Sequence, residues 1–348
     1  MEKSIHCDIT LFYSLGGFIK LTDKHKKVIK KIVETILDDN NKKFILGAHI
    51  GPDGDNVGST MALYYLLKSL GKEVTPYNPD EIPDNFKFLK DIDKYKQTIS
   101  EDEEFDVGIV VDNSDINRIG EHWPQNRIKN VIQIDHHVRA QLFGDIIYID
   151  EHAVAVGEIL YFIIREILPE LNFDIAQALY LSILTDSGSF RYSNTRPRTF
   201  YVAQKLLEAG AQVYDINIEV YEKVKFEKIA LLKETLSTIE FNEDKNFAIM
   251  HLTKDMYAKY NASEDTSEGF VNYGRIIDGV EVSCILKEIG KDKYKISLRS
   301  KTFDVSHIAI THLSGGGHKN AAGGRMEGNL RDIINELKIN FTKWLKNE

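Results

Sequence analysis

The sequence predicts an α/β protein: a large N-terminal domain with a mostly parallel sheet flanked by helices, and a smaller mixed α/β C-terminal domain joined to it by a helical linker. Three observations carry this. At 348 residues the chain exceeds one ordinary hydrophobic core and fits two domains. Apolar runs such as Val107-Gly108-Ile109-Val110-Val111 are continuous rather than alternating, as in strands covered on both faces. Through the first half these runs alternate with helical patterns, the signature of a parallel sheet, whereas strands follow one another in the last hundred or so residues.

In order, residues 1–23 form a leader of uncertain structure, too polar and too short of basic residues for a signal peptide. Lys24 to Asp38 has the spacing of an amphipathic helix, and Phe44 to Ala48 reads as a buried strand. A Gly/Pro/Asp turn leads into a helix over about Val57–Leu70. Further strands are expected at Lys72–Tyr77, Asp106–Val111, Val131–Ile134 and Asp145–Ile149, with helices over 155–168 and 174–185 separated by Pro169. Thr199–Ala209 is a helix closed by Gly210, and 24–220 makes up the first domain. Residues 221–239 read as one connecting helix. In the second domain, 240–348, strands are expected at Phe247–Leu252, Val280–Lys287 and Lys293–Arg299, and helices at Phe303–Thr311 and Leu330–Leu345.

Composition narrows the function classes. The net charge of −9 argues against binding long nucleic acid, whose affinity comes mainly from Lys and Arg on phosphates. A short oligonucleotide or a nucleotide stays compatible, because a bound cation can supply positive charge locally. Cys7 and Cys284 are the only cysteines, so neither a disulfide framework nor a thiolate metal site fits, and a reducing cytoplasm does. No run reaches the roughly 18 apolar residues of a membrane span. A homodimer is compatible with the sequence, which does not specify it.

The chemistry lies in scattered acids and imidazoles: His49, Asp53 and Asp55 after the first strand, Asp112 after another, Asp135-His136-His137 after a third, and Asp186 in Thr185-Asp186-Ser187-Gly188. Each patch alone also reads as turn or cap chemistry. Together they place carboxylates at the carboxyl edge of an open α/β sheet, where such folds bind ligands. Four clustered carboxylates would repel one another in a partly dry cleft, and two dications would offset them. Oxygen-rich ligands with imidazole suit two divalent ions, Mn²⁺ first, with Mg²⁺ or Co²⁺ as alternatives. Far downstream, Gly315-Gly316-Gly317-His318 lets backbone N–H groups approach an anion. Arg299 and Arg191 are further phosphate donors.

These motifs resemble the DHH phosphoesterase superfamily with its DHH-associated C-terminal domain. His49-Ile-Gly-Pro-Asp-Gly-Asp-Asn-Val-Gly-Ser59, Val111-Asp112, Asp135-His136-His137 and Thr185-Asp186-Ser187-Gly188 look like its four motifs. Ser297-Leu298-Arg299-Ser300 and Gly315-Gly316-Gly317-His318 look like its C-terminal signatures. Within the superfamily the chain most resembles the NrnA-type oligoribonuclease/pAp phosphatases. The resemblance implies one metal on His49, Asp53 and Asp112, and a second on Asp55, Asp112, His136 and Asp186, with Asp112 as the bridge. It implies Asp135 as an orienting partner for an imidazole, and His137 as a general acid or phosphate ligand. Arg191, Arg299, Ser300, Gly315, Gly316, Gly317 and His318 would bind substrate. Ser314 stands where a fourth glycine is common, and Asn113 where a small or β-branched residue is; neither removes a ligand.

The expected activity is therefore metal-dependent hydrolysis of short RNA and of pAp. The rivals are a cyclic di-AMP or linear pApA phosphodiesterase on the same scaffold, a RecJ-like exonuclease, which the length and charge oppose, and a non-catalytic nucleotide-binding regulator, which the complete ligand set opposes. The expected arrangement is a cleft, with metals on the large domain and a phosphate clamp on the small one.

Overall fold

A computed structural model describes residues 23–138 and 140–346; the expected leader lies almost wholly outside them. Two compact units meet in sequence at Lys223/Val224.

The first unit runs α1 (Asp23–Leu37), β1 (Lys43–Gly47), α2 (Gly54–Ser69), β2 (Glu73–Tyr77), β3 (Phe105–Val111), β4 (Ile128–Asp135), β5 (Ile146–Ile149), α3 (Val156–Ile167), α4 (Phe173–Asp186), α5 (Pro197–Glu208) and α6 (Val213–Asn217). Its five strands are all parallel, in the order β2-β1-β3-β4-β5. Strand order reverses between β1 and β3, which makes their carboxyl ends the point where an open sheet leaves a crevice for ligands. One face, including Phe44, Leu46, Val107, Ile109, Val111, Ile132 and Ile134, packs on helices α1 to α4. The other differs from the helical cover the sequence suggested. Short 3-10 turns over 116–127 and Trp123 lie against Ile45, Val110 and Val131. Gly47 makes room for the indole, because a Cβ there would stand 2.5 Å from Trp123.

The stretch expected as one helix over 221–239 consists of a π-helical turn, Ile218–Glu222, then a non-helical step, then α7 (Phe226–Ser237). Leu231 and Leu232 of α7 are buried with Met250, Phe270 and Ile285 of the second unit. That unit continues β6 (Glu240–Phe241), β7 (Phe247–Leu252), α8 (Lys254–Lys259), α9 (Val271–Arg275), β8 (Val282–Gly290), β9 (Lys293–Ser300), α10 (Val305–His312), β10 (Gly316–His318), β11 (Ala321–Glu327) and α11 (Leu330–Trp344). Its sheet order is β10-β11-β9-β8-β7-β6, antiparallel except for the β7–β8 pair. On one face, Phe247, Cys284, Ile296 and Leu298 pack on α10 and α11. Among the described residues no helix is long and apolar enough to cross a membrane.

Candidate metal centre

Three strand ends and two helix ends bring the acids and imidazoles of the first unit together. His49 follows β1, Asp112 follows β3, and Asp135 ends β4 with His136 and His137 next. Asp53 is the N-cap of α2, its side chain accepting from Asn56 N–H, and Asp55 lies in the first helical turn. Asp186 departs from the sheet-edge expectation: it is the last residue of α4, a helix packed along α2. A carboxylate at a helix C-terminus faces the negative end of the dipole, so its charge needs a cation nearby.

Three groups of side chains offer ligand atoms within 4.8 Å of one another: His49, Asp53 and Asp112; Asp55, His136 and Asp186; and Asp112, His136 and His137. His49 Nε2 lies 3.7 Å from Asp53 Oδ2 and 3.2 Å from Asp112 Oδ2. His136 Nε2 lies 3.6 Å from Asp55 Oδ2, 3.6 Å from Asp112 Oδ1 and 3.3 Å from Asp186 Oδ2. Asp112 thus turns one oxygen toward each imidazole. Its backbone has φ 49°, a left-handed value that few non-glycine residues adopt.

The ring nitrogens are sorted by their second hydrogen bonds. His49 Nδ1 is 2.8 Å from Ile50 O and His136 Nδ1 is 3.3 Å from Ala153 O. Each Nδ1–H donates to a carbonyl, leaving Nε2 as the lone-pair donor, the tautomer a metal ligand requires. His137 Nδ1 donates to Asp135 Oδ1 at 2.8 Å, and the same oxygen accepts His136 N–H at 2.8 Å and His137 N–H at 3.2 Å. Fully buried Asp135 therefore orients His137 rather than His136.

Fully buried Asp55 is the most heavily anchored ligand candidate. Its Oδ1 accepts from Ser59 Oγ (2.8 Å), Ser182 Oγ (2.5 Å) and Gly157 N–H (3.3 Å), and its Oδ2 from Val156 N–H (2.8 Å). One carboxylate thereby caps the N-terminus of α3 and ties α2 to α4.

Electrostatics show what charge the cluster demands. Burial opposes charge on His49, but Asp112 and Asp53 outweigh it and push its pKa up to about 10. Burial likewise opposes a charged His136, yet Asp112, Asp55 and Asp186 bring it to about 10. Burial and then Asp112 raise Asp55 to about 6, and burial with Asp55 and Asp112 raises Asp186. Asp112 is held down at about 2: burial works against its charge, and His136 and His49 overcome it. Positive charge is required at the centre, from protons or from cations. The donor set fits divalent ions: two ligands at ~2.1 Å and right angles lie about 3 Å apart, against the 3.2–3.7 Å found here.

Arg191 follows a turn in which Gly188, Ser189 and Phe190 all have positive φ, and its Nε donates to Gly188 O at 2.8 Å. Phe190 stacks on Phe200, Tyr192 is exposed, and Phe270 is core.

In the second unit, Arg299 sits on β9 close to Arg275 of α9. Burial and then this second guanidinium lower its pKa. A hollow of about 510 Å³ is lined by Arg299, Lys295, Arg325, Ser314, Gly315 and Gly316, among others. Exposed His318 ends β10. The Gly-rich segment is an edge strand rather than a free loop, and Gly315 and Gly317 are needed for packing. A Cβ on Gly315 would lie 1.9 Å from Gly323 O, and one on Gly317 2.5 Å from Ala321 O. Gly316 alone has open space. Ser300, expected to contact substrate, is fully buried here: it donates to Phe303 O at 2.6 Å and accepts from Asn320 Nδ2 at 3.1 Å.

Sequence reasoning gave no role to Ser59, Ser182 or Arg275. The first two lie four residues from Asp55 and Asp186, one helical turn away, and that spacing was a usable signal.

Residues 43–183 match the model of the DHH family, N-terminal domain, and residues 244–343 that of the DHHA1 domain. The bifunctional oligoribonuclease and PAP phosphatase NrnA of Thermus thermophilus is 29% identical over 301 residues, spanning 86% of this chain and 88% of that protein. The probable bifunctional oligoribonuclease and PAP phosphatase NrnA of Streptococcus mutans is 30% identical over 84% of this chain and 93% of its own. The crystal structure of an exopolyphosphatase-related protein from Bacteroides fragilis superposes with a TM-score of 0.84 at 27% identity, covering 94% of this chain and all of that one.

Proposed function

This chain belongs to the DHH phosphoesterase family and carries a DHHA1 domain, and from that premise we propose that it hydrolyses short oligoribonucleotides to mononucleotides and 3′-phosphoadenosine 5′-phosphate to AMP. The observation that carries the reading is Asp112, with Oδ2 turned to His49 and Oδ1 to His136. His49 and Asp53 on one side, and Asp55, His136 and Asp186 on the other, would be the remaining ligands. Two divalent cations held there, Mn²⁺ by preference, would lower the pKa of a water and neutralise phosphoryl charge.

The chain's own residues supply the rest. The Nδ1–H bonds of His49 and His136 keep their Nε2 atoms inward. Asp135 raises the pKa of His137 and fixes its ring, leaving Nε2 to protonate the departing ribose oxygen. Arg299 with Arg275, Gly316 and His318 binds substrate phosphate.

Similarity to the Thermus and Streptococcus NrnA proteins supports these substrates, and similarity to the exopolyphosphatase-related protein of Bacteroides fragilis adds polyphosphate as a competitor. Rates on pAp, a diribonucleotide, cyclic di-AMP and inorganic polyphosphate, measured side by side with Mn²⁺, test the reading. We expect pAp and the dinucleotide to be fastest. Faster turnover of cyclic di-AMP or polyphosphate would overturn the substrate assignment.

A further inference from the structure

Arg198, in the first turn of α5, lies outside the metal-ligand groups. A cation at a helix N-terminus is disfavoured by the dipole, and this one is largely buried. It is held by two buried acids: Nη1 donates to Asp150 Oδ2 at 2.9 Å, and Nε donates to Glu158 Oε1. Thr199 Oγ1 donates to the other Glu158 oxygen at 2.7 Å.

Those acids bracket a single turn, residues 150–158. Asp150 follows β5, its Oδ1 accepts His152 N–H and its carbonyl accepts Ala153 N–H; Glu158 lies in the first turn of α3. Every member of one ligand group is tied to that turn. Ala153 O accepts His136 Nδ1–H. The N–H groups of Val156 and Gly157 hold Asp55. Asn194 Nδ2 bridges Val154 O at 3.4 Å and Asp186 O at 3.2 Å. The His49, Asp53 and Asp112 group is held elsewhere: His49 through Ile50, Asn56 and Asn78, Asp53 through Asn56, and Asp112 through its N–H to Ile134 O.

We propose that Arg198 is a positioning residue for one metal site only: by clamping Asp150 to Glu158 it sets the turn that aligns His136, Asp55 and Asp186, while the His49–Asp53–Asp112 site does not depend on it. This rests on the two-metal reading above. Arg198→Lys keeps the charge but loses the planar fork that reaches two carboxylates at once.

The test is Mn²⁺ titration of chelator-stripped full-length protein, followed by calorimetry and by electron paramagnetic resonance, with thermal unfolding in chelator alongside. The wild type should take two ions and show an exchange-coupled signal. Arg198→Lys should keep one ion at wild-type affinity and bind the other about 10–100-fold more weakly, as outer partners of ligands typically do. The coupled signal should give way to a mononuclear one until Mn²⁺ is raised. Asp150→Asn should reproduce the selective loss if Arg198→Lys proves unstable. Equal weakening of both ions, no weakening in a folded variant, or loss of the fold in both variants would overturn the proposal. A wild type that binds no Mn²⁺ would instead remove the two-metal reading beneath it, and this inference with it.

Discussion

Gly58 offers a sharp test of how packing sets the ligand geometry. It lies in α2 against α4, where a Cβ would stand 2.5 Å from Ala178 O and 2.8 Å from Ser182 N. Both are backbone atoms of a helix, so a flexible side chain cannot yield. Ordinary contact begins near 3.4 Å, so Gly58→Ala must open the α2–α4 gap by about 0.9 Å. Overpacking of this kind costs about 1–3 kcal/mol. For a unit of this size that corresponds to a Tm lower by roughly 2–12 °C.

The functional effect should be larger than the stability effect. Asp55 stands at the start of α2 and Asp186 at the end of α4, and Ser182 Oγ links the helices by donating to Asp55 at 2.5 Å. Misplacement by about 1 Å at a reacting centre costs around 100-fold in rate. Thermal unfolding, and Mn²⁺-dependent hydrolysis of a chromogenic phosphodiester at a temperature where both proteins are folded, measure the two effects. Gly290→Ala is the control: its Cβ would meet nothing closer than 3.8 Å, and it should stay within about 0.5 kcal/mol of wild type. A Gly58→Ala protein with wild-type Tm would refute the packing argument. One with lowered Tm but unchanged activity would refute the link from helix spacing to ligand geometry.

Three further outcomes are expected. Asp135→Asn should lower the pKa of His137, since Asp135 is the main cause of its rise, so the alkaline limb of the kcat/KM profile should move to lower pH; an unmoved limb removes His137 as the general acid. Gly315→Ala should unfold or strongly destabilise the second unit, whereas Gly316→Ala should fold normally and raise KM with kcat unchanged; normal KM for Gly316→Ala would take the glycine segment out of substrate binding. His251, whose buried Nδ1 has no partner, has its pKa lowered below 6.5 by burial. The unfolded chain therefore binds the proton more readily, and the stability His251 contributes is full above 6.5 and lost as pH falls through the folded value. Denaturant unfolding at about pH 7.5 and about pH 5.5 should show a smaller acid loss for His251→Leu than for wild type, and equal losses would count against the burial argument.

What could be read from the sequence follows physical range. Buried parallel strands are continuous apolar runs, so β3 and β4 were visible in Val107–Val111 and Val131–Ile134, and the acids behind them followed from sheet-edge logic. The β10–β11 hairpin was not visible, because Gly316, Gly317, Gly323 and Gly324 have no strand propensity and are strand residues only through close backbone contact. The burial of Ser300 was not legible, because inward and outward positions alternate along a strand and the motif does not state which of them point into the core. Trp123 and Arg198 act through partners distant in sequence, Gly47 and Glu158, which no local pattern connects.

The same distinction explains how Asp112 can serve two imidazoles. Continued as a strand residue, it would send its side chain to one face of the sheet, as its predecessors Ile109, Val110 and Val111 do to alternate faces. Its N–H still bonds Ile134 O at 3.1 Å, so the β3–β4 ladder runs up to it. The left-handed φ of 49° then breaks the alternation at that residue and accompanies a carboxylate set between His49 and His136. Such a conformation costs on the order of 1–3 kcal/mol outside glycine. Aspartate is among the few residues that tolerate it, through its short polar side chain. Glutamate at this position would keep the charge but gain a methylene and lose that tolerance. The backbone turn, as much as the carboxylate, therefore makes aspartate the residue required there.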